Sequence, residues 1–255
     1  MNELLPLVVI GVFGAVIGSF LNVCIYRLPI GKSVVWPASS CPACARELSW
    51  YENIPVLSFL ALGGRCRTCR AKISVRYPLV EAATGILFAA AYWYYGPSIL
   101  LVSRLLFVCA LIVLFAIDLE HHLLPNAITV PGSVAGLLFS LVTEPGWLSA
   151  LIGLLAGGGV LWAIAEAYRR LRHEEGMGMG DVKMLAMVGA FLGWQLTLVT
   201  LMLASFAGSI VGLGMIALHR GSMKFALPFG TFLAMGAVLA ATIGPALLEW
   251  YLRFW

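Results

Sequence analysis

Residues 99–125 read ILLVSRLLFVCALIVLFAIDLEHHLLP, and this stretch decides the fold. Up to Ile117 it contains a single charged side chain, Arg104. A helix of about 20 apolar residues is long enough to cross the hydrocarbon core of a bilayer. The apolar run stops at Asp118, and a glutamate and two histidines follow it closely. The stretch therefore predicts a transmembrane helix that ends in ionisable side chains at one membrane face.

The composition of the whole chain agrees with this interpretation. Of its 255 residues, 61% are hydrophobic and 11% are charged, and the mean hydropathy is +0.96. Soluble domains are about half apolar and about a quarter charged, so one globular core could not bury this surplus. The apolar run from Leu4 to Val23 has neither a basic start nor a small-residue cleavage site, which favours a first membrane helix over a signal peptide.

The length criterion predicts an all-α polytopic membrane protein with about eight transmembrane helices. Turn-forming residues, such as Gly96-Pro97-Ser98 and those at 219–222, separate most of the apolar runs. The weakest boundary lies between the sixth and seventh runs, where only Trp194-Gln195 and nearby threonines interrupt the pattern. The predicted helices are 4–26, 79–95, 99–117, 124–142, 147–168, 182–199, 201–218 and 227–252.

The loop charges predict the orientation. Among the 16 Lys and Arg residues, only Arg104 and Arg253 lie outside four segments that would share one side of the membrane. Basic loops remain in the cytosol, so both termini are expected on the opposite side of the membrane and both Asp118 and Asp181 at the cytosolic face. The four segments are 27–78, 118–123, 169–181 with the flanking Lys183, and 219–224.

Polarity divides the chain into three predicted parts. They are the first helix at 4–26, a polar and basic cytosolic module at 27–78, and a seven-helix membrane core at 79–255. The middle part is too short to be stabilised by a hydrophobic core alone. Modules of this size commonly need a disulfide or a bound metal ion as well.

Two CxxC pairs in the middle part predict a structural zinc site formed by Cys41, Cys44, Cys66 and Cys69. A reducing cytosol disfavours disulfides, and metal binding would supply folding energy to a small module. A redox dithiol is the alternative interpretation. A closed site of four thiolates has no open position for a substrate, so its expected role is structural.

Asp118 and Asp181 are the only aspartates in the chain, and topology predicts both at the same membrane face. Two carboxyl groups close enough to share a proton titrate as one ionised and one protonated partner, which is the arrangement of an aspartic protease. The glycines before Asp181 would let the backbone pass close to a substrate. Alternatively, Asp181 could cap the sixth helix, whereas Asp118 lies near a helix C-terminus, where a negative charge is unfavourable.

Other chemistries have less support in the sequence. There is no HExxH motif for a zinc protease, and His121 and His122 would point to different faces of a helix. A cation transporter could use the two aspartates as ligands, but it should show inverted repeats around a midplane site. A membrane thiol oxidoreductase would depend on the cysteines and not on Asp118.

These residues resemble the type IV prepilin peptidases, a family of integral membrane aspartic proteases, over nearly the entire chain. The most specific elements are the box Gly178-Met179-Gly180-Asp181, continued by Val182-Lys183, and the box from Asp118 to Leu124-Pro125. The other elements are Gly18-Ser19-Phe20-Leu21-Asn22-Val23 with Arg27 and Pro29, both CxxC pairs, Ser49-Trp50-Tyr51-Glu52-Asn53-Ile54-Pro55 and Arg76-Tyr77-Pro78-Leu79-Val80-Glu81.

The resemblance implies that Asp118 and Asp181 are catalytic, with Gly178, Gly180 and Lys183 in a supporting loop. It implies that prepilins and secretion pseudopilins are the substrates, cut after a glycine on the cytosolic side of a bacterial inner membrane. The expected partners are these substrates and the lipid bilayer, and not nucleic acid.

The resemblance also implies methylation of the new N-terminal residue with S-adenosylmethionine, because the long Cys-containing loop is associated with the bifunctional members. No Rossmann glycine fingerprint follows a predicted strand. Gly64, Arg65 and Glu81 are candidates for this second site. Alternatively, Gly64 forms a tight turn before Cys66, Glu81 anchors the loop, and the chain is a peptidase without methyltransferase activity.

Overall fold

The computed structural model describes residues 4–173, 178–218 and 227–253. Within these residues the protein is all-α, as predicted, apart from a short 3₁₀ helix at Trp50–Asn53 and two isolated β-bridges. The helices are α1 (Leu4–Arg27), α2 (Leu57–Ala61), α3 (Arg76–Tyr95), α4 (Ile99–His121), α5 (Asn126–Phe139), α6 (Trp147–Arg172), α7 (Met179–Ala217), α8 (Phe229–Thr242) and α9 (Gly244–Leu252).

The helices confirm a multi-pass membrane protein but not a count of eight spans. Four described helices, α1, α4, α6 and α7, are long and apolar enough to cross a membrane, and α8 with α9 forms a fifth candidate bent by 65°. Helix α5 has 14 residues, which at about 1.5 Å per residue is shorter than the hydrocarbon core. The predicted helix at 124–142 is longer than α5 because the prediction used hydropathy alone, and apolar residues flank α5 on both sides.

Local chemistry sets several helix ends. Gly96, at φ +60°, ends α3 at the predicted turn and donates its N–H to the carbonyl of Tyr92. Pro125 and Pro228 precede α5 and α8 in non-helical conformations. The predicted turn at 219–222, residues 1–3 and 254–255 at the termini, and residues 174–177 before the glycine-rich box lie outside the described residues.

The chain forms two compact units, Met1–Val113 and Leu114–Trp255. In the first unit, α1 packs along α3 through small residues. A Cβ atom added to Gly18 would lie 2.8 Å from the Cα of Glu81, and one added to Gly14 would lie 2.7 Å from the Cβ of Phe88. This spacing lets the two helix backbones approach closely, as small residues do in membrane helix pairs. The three-part division by polarity stays a prediction.

Two side chains of this helix pair hold the Cys-containing loop. The Arg27 guanidinium donates to the carbonyls of Ser33 at 3.0 Å and Pro37 at 2.8 Å. The Glu81 carboxylate accepts the N–H of Val56 at 2.8 Å. Both contacts hold the loop to this helix pair, and that of Glu81 supports its interpretation as a loop anchor.

In the second unit, α6 packs against α7, and α7 is broken at Gly193. This glycine has φ +77° and ψ 170°, a conformation that is essentially restricted to glycine. A Cβ added to Gly157 of α6 would contact Leu185, before the break, and Thr197, after it. The two parts of α7 therefore lie side by side along α6. The reversal falls at Gly193, several residues before the predicted boundary at 199–201, because hydropathy does not register a change in backbone dihedrals.

The tightest contact between α6 and α7 joins the backbones of Gly153 and Gly189. A Cβ at position 189 would lie 2.1 Å from the Gly153 carbonyl oxygen, and a Cβ at position 153 would lie 2.6 Å from the Gly189 oxygen. No other residue type fits at either position without moving the helices apart.

We expect Gly153→Ala and Gly189→Ala each to destabilise the protein, because the added methyl group has no space between the two backbones. Overpacking of this kind costs roughly 1–3 kcal/mol. Thermal or denaturant unfolding of the detergent-solubilised protein measures the effect. Gly159→Ala, in the same helix and with nothing within 4 Å of the added Cβ, is the matched control and should unfold like the wild type or later. Equal melting of all three variants would contradict the packing described above.

Candidate active site and metal centre

The two CxxC pairs form two loops of the same local shape. In the first, the N–H of Ala45 donates to the carbonyl of Cys41 at 2.9 Å, and in the second the N–H of Arg70 donates to the carbonyl of Cys66 at 3.0 Å. Ala45 and Arg70, which follow the second cysteine of each pair, adopt φ values of +56° and +59°. The left-handed residue reverses the chain direction directly after the second cysteine of each pair.

The loops bring the four predicted sulfurs together. Their Sγ atoms all lie within 4.8 Å of one another, and those of Cys41 and Cys69 are 3.8 Å apart. A tetrahedral zinc ion with Zn–S bonds of about 2.3 Å requires S···S edges of about 3.8 Å. A disulfide would need about 2.05 Å. The four cysteines therefore fit a structural zinc ion in size and in donor chemistry.

Backbone donors prepare one of these sulfurs for a metal. The N–H groups of Cys69 and Thr68 point at the Cys66 sulfur and lower the pKa of that thiol to about 6. The thiolate is the form that binds metal, so these donors favour the ligand state of Cys66, whereas burial and the neighbouring sulfurs raise the pKa of the Cys69 thiol to about 11. Cys24 and Cys109 lie on α1 and α4, outside the cluster.

A buried carboxylate braces the first loop. Glu52 accepts hydrogen bonds from the Arg46 guanidinium at 2.6 Å and from the N–H of Ser49 at 2.9 Å. These donors hold the pKa of Glu52 below its usual value, with Arg46 as the larger cause. The ion pair ties the 3₁₀ helix to the loop that carries Cys41 and Cys44.

The candidates for a second ligand site have visible structural roles. Gly63 and Gly64 have φ values of +60° and +65°, and the Gly64 carbonyl accepts the N–H of Ile73 at 2.8 Å. Arg65 forms the β-bridge to Lys72 that frames the second CxxC loop. These contacts fit the tight turn before Cys66.

Asp118 lies in the last turn of α4, and only 4% of its surface is exposed. Its Oδ2 atom accepts two hydrogen bonds from one residue of α8, at 2.6 Å from the N–H of Thr231 and at 3.0 Å from its hydroxyl. The first turn of α8 therefore faces the carboxylate that the last turn of α4 presents.

Asp181 lies in the first turn of α7 and interacts electrostatically with Asp118. The N-cap of this helix is Gly178, and no side chain caps it. Capping therefore does not account for Asp181. The two aspartates are 63 positions apart in the chain, and their carboxyl groups interact electrostatically.

The glycines of the supporting loop pack around Leu124, in the loop that follows Asp118. A Cβ added to Gly180 or to Gly230 would lie 2.9 Å from a Leu124 carbon, and the one on Gly230 would also lie 3.0 Å from Oδ2 of Asp118. A Cβ added to Gly178 would lie 3.7 Å from Oδ2 of Asp181. Small residues are thus required where α4, α7 and α8 meet.

Lys183 aligns two neighbouring helices and does not contact either aspartate directly among the described hydrogen bonds. Its Nζ donates to Oδ1 of Asn126 at 2.9 Å, which joins the first turn of α7 to the start of α5.

Gly230 and Thr231 were not predicted from the sequence. The available signal was indirect. Pro228 precedes an apolar run whose start lies, by the loop charges, at the same face as the aspartates. Nothing in that pattern identifies which of its residues reaches Asp118.

Two carboxyl groups at helix ends, one of them buried and hydrogen-bonded, are the residue types that general acid–base chemistry requires.

Known proteins share this chain's sequence over nearly its full length. Residues 12–95 match the profile described as Bacterial Peptidase A24 N-terminal domain, and residues 105–213 match that described as Type IV leader peptidase family. A protein from Aeromonas hydrophila named prepilin leader peptidase/N-methyltransferase is 40% identical, covering 94% of this chain and 91% of its own. Proteins of the same name from Burkholderia pseudomallei and Pseudomonas aeruginosa are 41% and 36% identical, covering 91% and 94% of this chain and 83% and 91% of theirs. No solved structure gives a significant match.

We expect Cys41→Ser and Cys66→Ser each to reduce bound zinc from about one ion per chain to a small fraction, because a hydroxyl is a poor substitute for a thiolate in a four-sulfur site. Elemental analysis of the purified protein measures the stoichiometry. Cys109→Ser is the matched control, since it removes a thiol outside the cluster and should leave the zinc content unchanged. A full complement of zinc in Cys41→Ser would exclude this ligand set.

Proposed function

We propose that this chain, which belongs to the type IV leader peptidase family, removes the leader peptides of type IV prepilins and pseudopilins by means of Asp118 and Asp181, and then methylates the new N-terminus. The family and the names of its relatives support the two activities. The assignment of residues is supported by the electrostatic interaction between Asp118 and Asp181 and by the two hydrogen bonds that Asp118 accepts from Thr231.

The chemistry of such a pair is direct hydrolysis. The ionised carboxylate takes a proton from a water molecule as the water oxygen attacks the scissile carbonyl carbon, and the protonated carboxyl donates its proton to the carbonyl oxygen. The tetrahedral intermediate then collapses, the C–N bond breaks and the leaving nitrogen takes up a proton. No covalent intermediate with the protein forms.

The position of the two aspartates fits a substrate whose scissile peptide bond lies directly before its membrane helix. Both aspartates lie at the ends of helices that pass the length and hydropathy criteria for membrane spans. Gly178, beside Asp181, leaves room for an extended backbone to approach the carboxyl groups, whereas Gly180 lies against Leu124. Lys183 holds the start of α7 against α5, so it maintains the position of the loop.

The distribution of basic residues supports a cytosolic position for this site and for the Cys module, with both termini in the periplasm. A bacterial inner membrane is the setting that fits the relatives. A substrate leader released on this side would leave its apolar helix in the bilayer.

The zinc ion proposed for Cys41, Cys44, Cys66 and Cys69 would supply folding energy to the loop, and it has no open position for chemistry. S-adenosylmethionine is the proposed methyl donor, consistent with the N-methyltransferase named in the relatives. Its binding residues are proposed to lie outside the aspartate pair, with Gly64, Arg65 and Glu81 as the candidates.

Asp118→Asn and Asp181→Asn should each lower the rate of prepilin cleavage by at least about a hundredfold, because each removes one partner of the acid–base pair. The rate is measured with purified protein and a full-length prepilin in detergent. Glu144→Gln, which makes the same change from carboxylate to amide in the loop between α5 and α6, is the control and should cleave normally. Full activity in either aspartate variant would exclude the paired mechanism.

Methylation should survive the loss of the peptidase site if the two activities use different residues. Given a prepilin that has already been cleaved, Asp118→Asn with S-adenosylmethionine should add one methyl group to the N-terminus, as mass spectrometry would record. With uncleaved prepilin the same variant should add none. Loss of methylation on the cleaved substrate by a folded variant would place both reactions at the aspartates.

A further inference from the structure

We propose that Thr231 is a positioning residue that keeps Asp118 ionised, so that Asp118 takes the proton from water and Asp181 carries the proton that goes to the carbonyl oxygen. This inference rests on the proposed function and deepens it, because a symmetric pair of aspartates does not by itself state which partner is the base.

First, Thr231 supplies two hydrogen-bond donors to the Asp118 carboxylate. A backbone N–H can only donate, and that of Thr231 lies 2.6 Å from Oδ2 of Asp118. The hydroxyl of the same residue lies 3.0 Å from the same oxygen. An oxygen that accepts from an amide at this distance is not the one that carries a proton. A second donor on that oxygen favours the carboxylate further.

The second step is the helix geometry. Asp118 lies at the C-terminal end of α4, where the helix dipole disfavours a negative charge. The first turn of α8, from which Thr231 donates, presents the opposite end of a dipole to the same group. The N–H of Thr231 also lies 3.2 Å from the carbonyl of Pro228, but its contact with the carboxylate is shorter. Helix α8 thus compensates the charge that α4 cannot stabilise.

The third step is the contrast with Asp181. Among the hydrogen bonds of residues 4–173, 178–218 and 227–253, none has the Asp181 carboxylate as its acceptor. Its position in the first turn of α7 exposes it to that helix's dipole, but a dipole acts less specifically than two donors in direct contact. Because Asp118 has two donors in contact and Asp181 has none among these residues, Asp181 is the partner that keeps the proton of the pair.

The other titratable groups around the pair do not change which aspartate is ionised and which is protonated. His122 directly follows α4, and its N–H donates to the backbone carbonyl of Asp118 at 2.9 Å. Lys183 of α7 is engaged with Asn126. Helices α5 and α8 contribute no charged side chain within their bounds.

The roles then balance over one turnover. Water gives its proton to Asp118 and its oxygen to the carbonyl carbon, while Asp181 gives its proton to the carbonyl oxygen. When the intermediate collapses, the proton on Asp118 passes to the leaving nitrogen and a hydroxyl proton of the intermediate returns to Asp181. The products are a carboxyl group and a free amine, and both aspartates regain their starting states.

The test is the pH dependence of prepilin cleavage by Thr231→Val and Thr231→Ser. Valine has nearly the same shape and keeps the N–H donor, but it removes the hydroxyl. We expect the acidic limb of the kcat/KM profile to move to higher pH by about one unit, with about a tenfold loss of activity below the limb. The basic limb should stay in place. Serine keeps both donors and should restore the wild-type profile.

Three results would overturn the inference. They are a Thr231→Val profile that superimposes on the wild type, a uniform loss at every pH without movement of a limb, and movement of the basic limb alone. Thr242→Val, at the other end of α8, is the matched control, and thermal melting verifies that each variant is folded. If Asp118→Asn and Asp181→Asn are inactive while Thr231→Val behaves as wild type, only this inference fails. If the aspartate variants still cleave, the proposed function itself fails.

Discussion

The contact between the backbones of Gly153 and Gly189 is the constraint on which the second unit depends. It sets α6 against the first part of α7, and the turn at Gly193 then returns the second part of α7 along the same helix. Helix α8 packs on that returning part, with Gly236 against the backbone of Thr200 and Ala204. In lipid there is little hydrophobic force between helices, so close packing of small residues must supply the association. The position of α8, and therefore that of Thr231, depends on each of these contacts between helices.

The residues proposed for the cleavage reaction lie at helix ends, in agreement with the cost of placing unpaired polar groups in the interior of a bilayer. Asp118 lies in the last turn of α4, Asp181 in the first turn of α7 and Thr231 in the first turn of α8. The first turn of a helix has N–H groups without an intrahelical acceptor, and that of Thr231 donates to Asp118. The Cys module solves a different problem. It lacks a large apolar core, and its two similar loops place four sulfurs where one metal ion can hold them. The two sites therefore use separate residues for separate purposes.

Hydropathy predicted the long helices well and the short or broken ones poorly. The prediction of a helix that ends near Asp118 is confirmed to within one helical turn by α4. Apolar residues continue beyond the ends of α5, so a composition window could not find where its hydrogen bonding stops. The boundary was predicted at 199–201 and not at Gly193, since the reversal depends on one positive φ and Trp194-Gln195 interrupt the apolar run only weakly. The transporter and thiol-oxidoreductase alternatives find no support in the relatives, which are named as peptidases and methyltransferases.

The sequence by itself determined the membrane setting, the two CxxC loops and the two aspartates, because composition, spacing and uniqueness are properties of the chain alone. The loop charges also predict that both aspartates lie at one membrane face. Only the tertiary structure decided that Thr231 meets Asp118, 113 positions away, and that Gly230 leaves the space for it. A hydrogen bond between remote helices depends on where their axes lie, and those axes are set by packing between side chains and backbones, which no local pattern encodes.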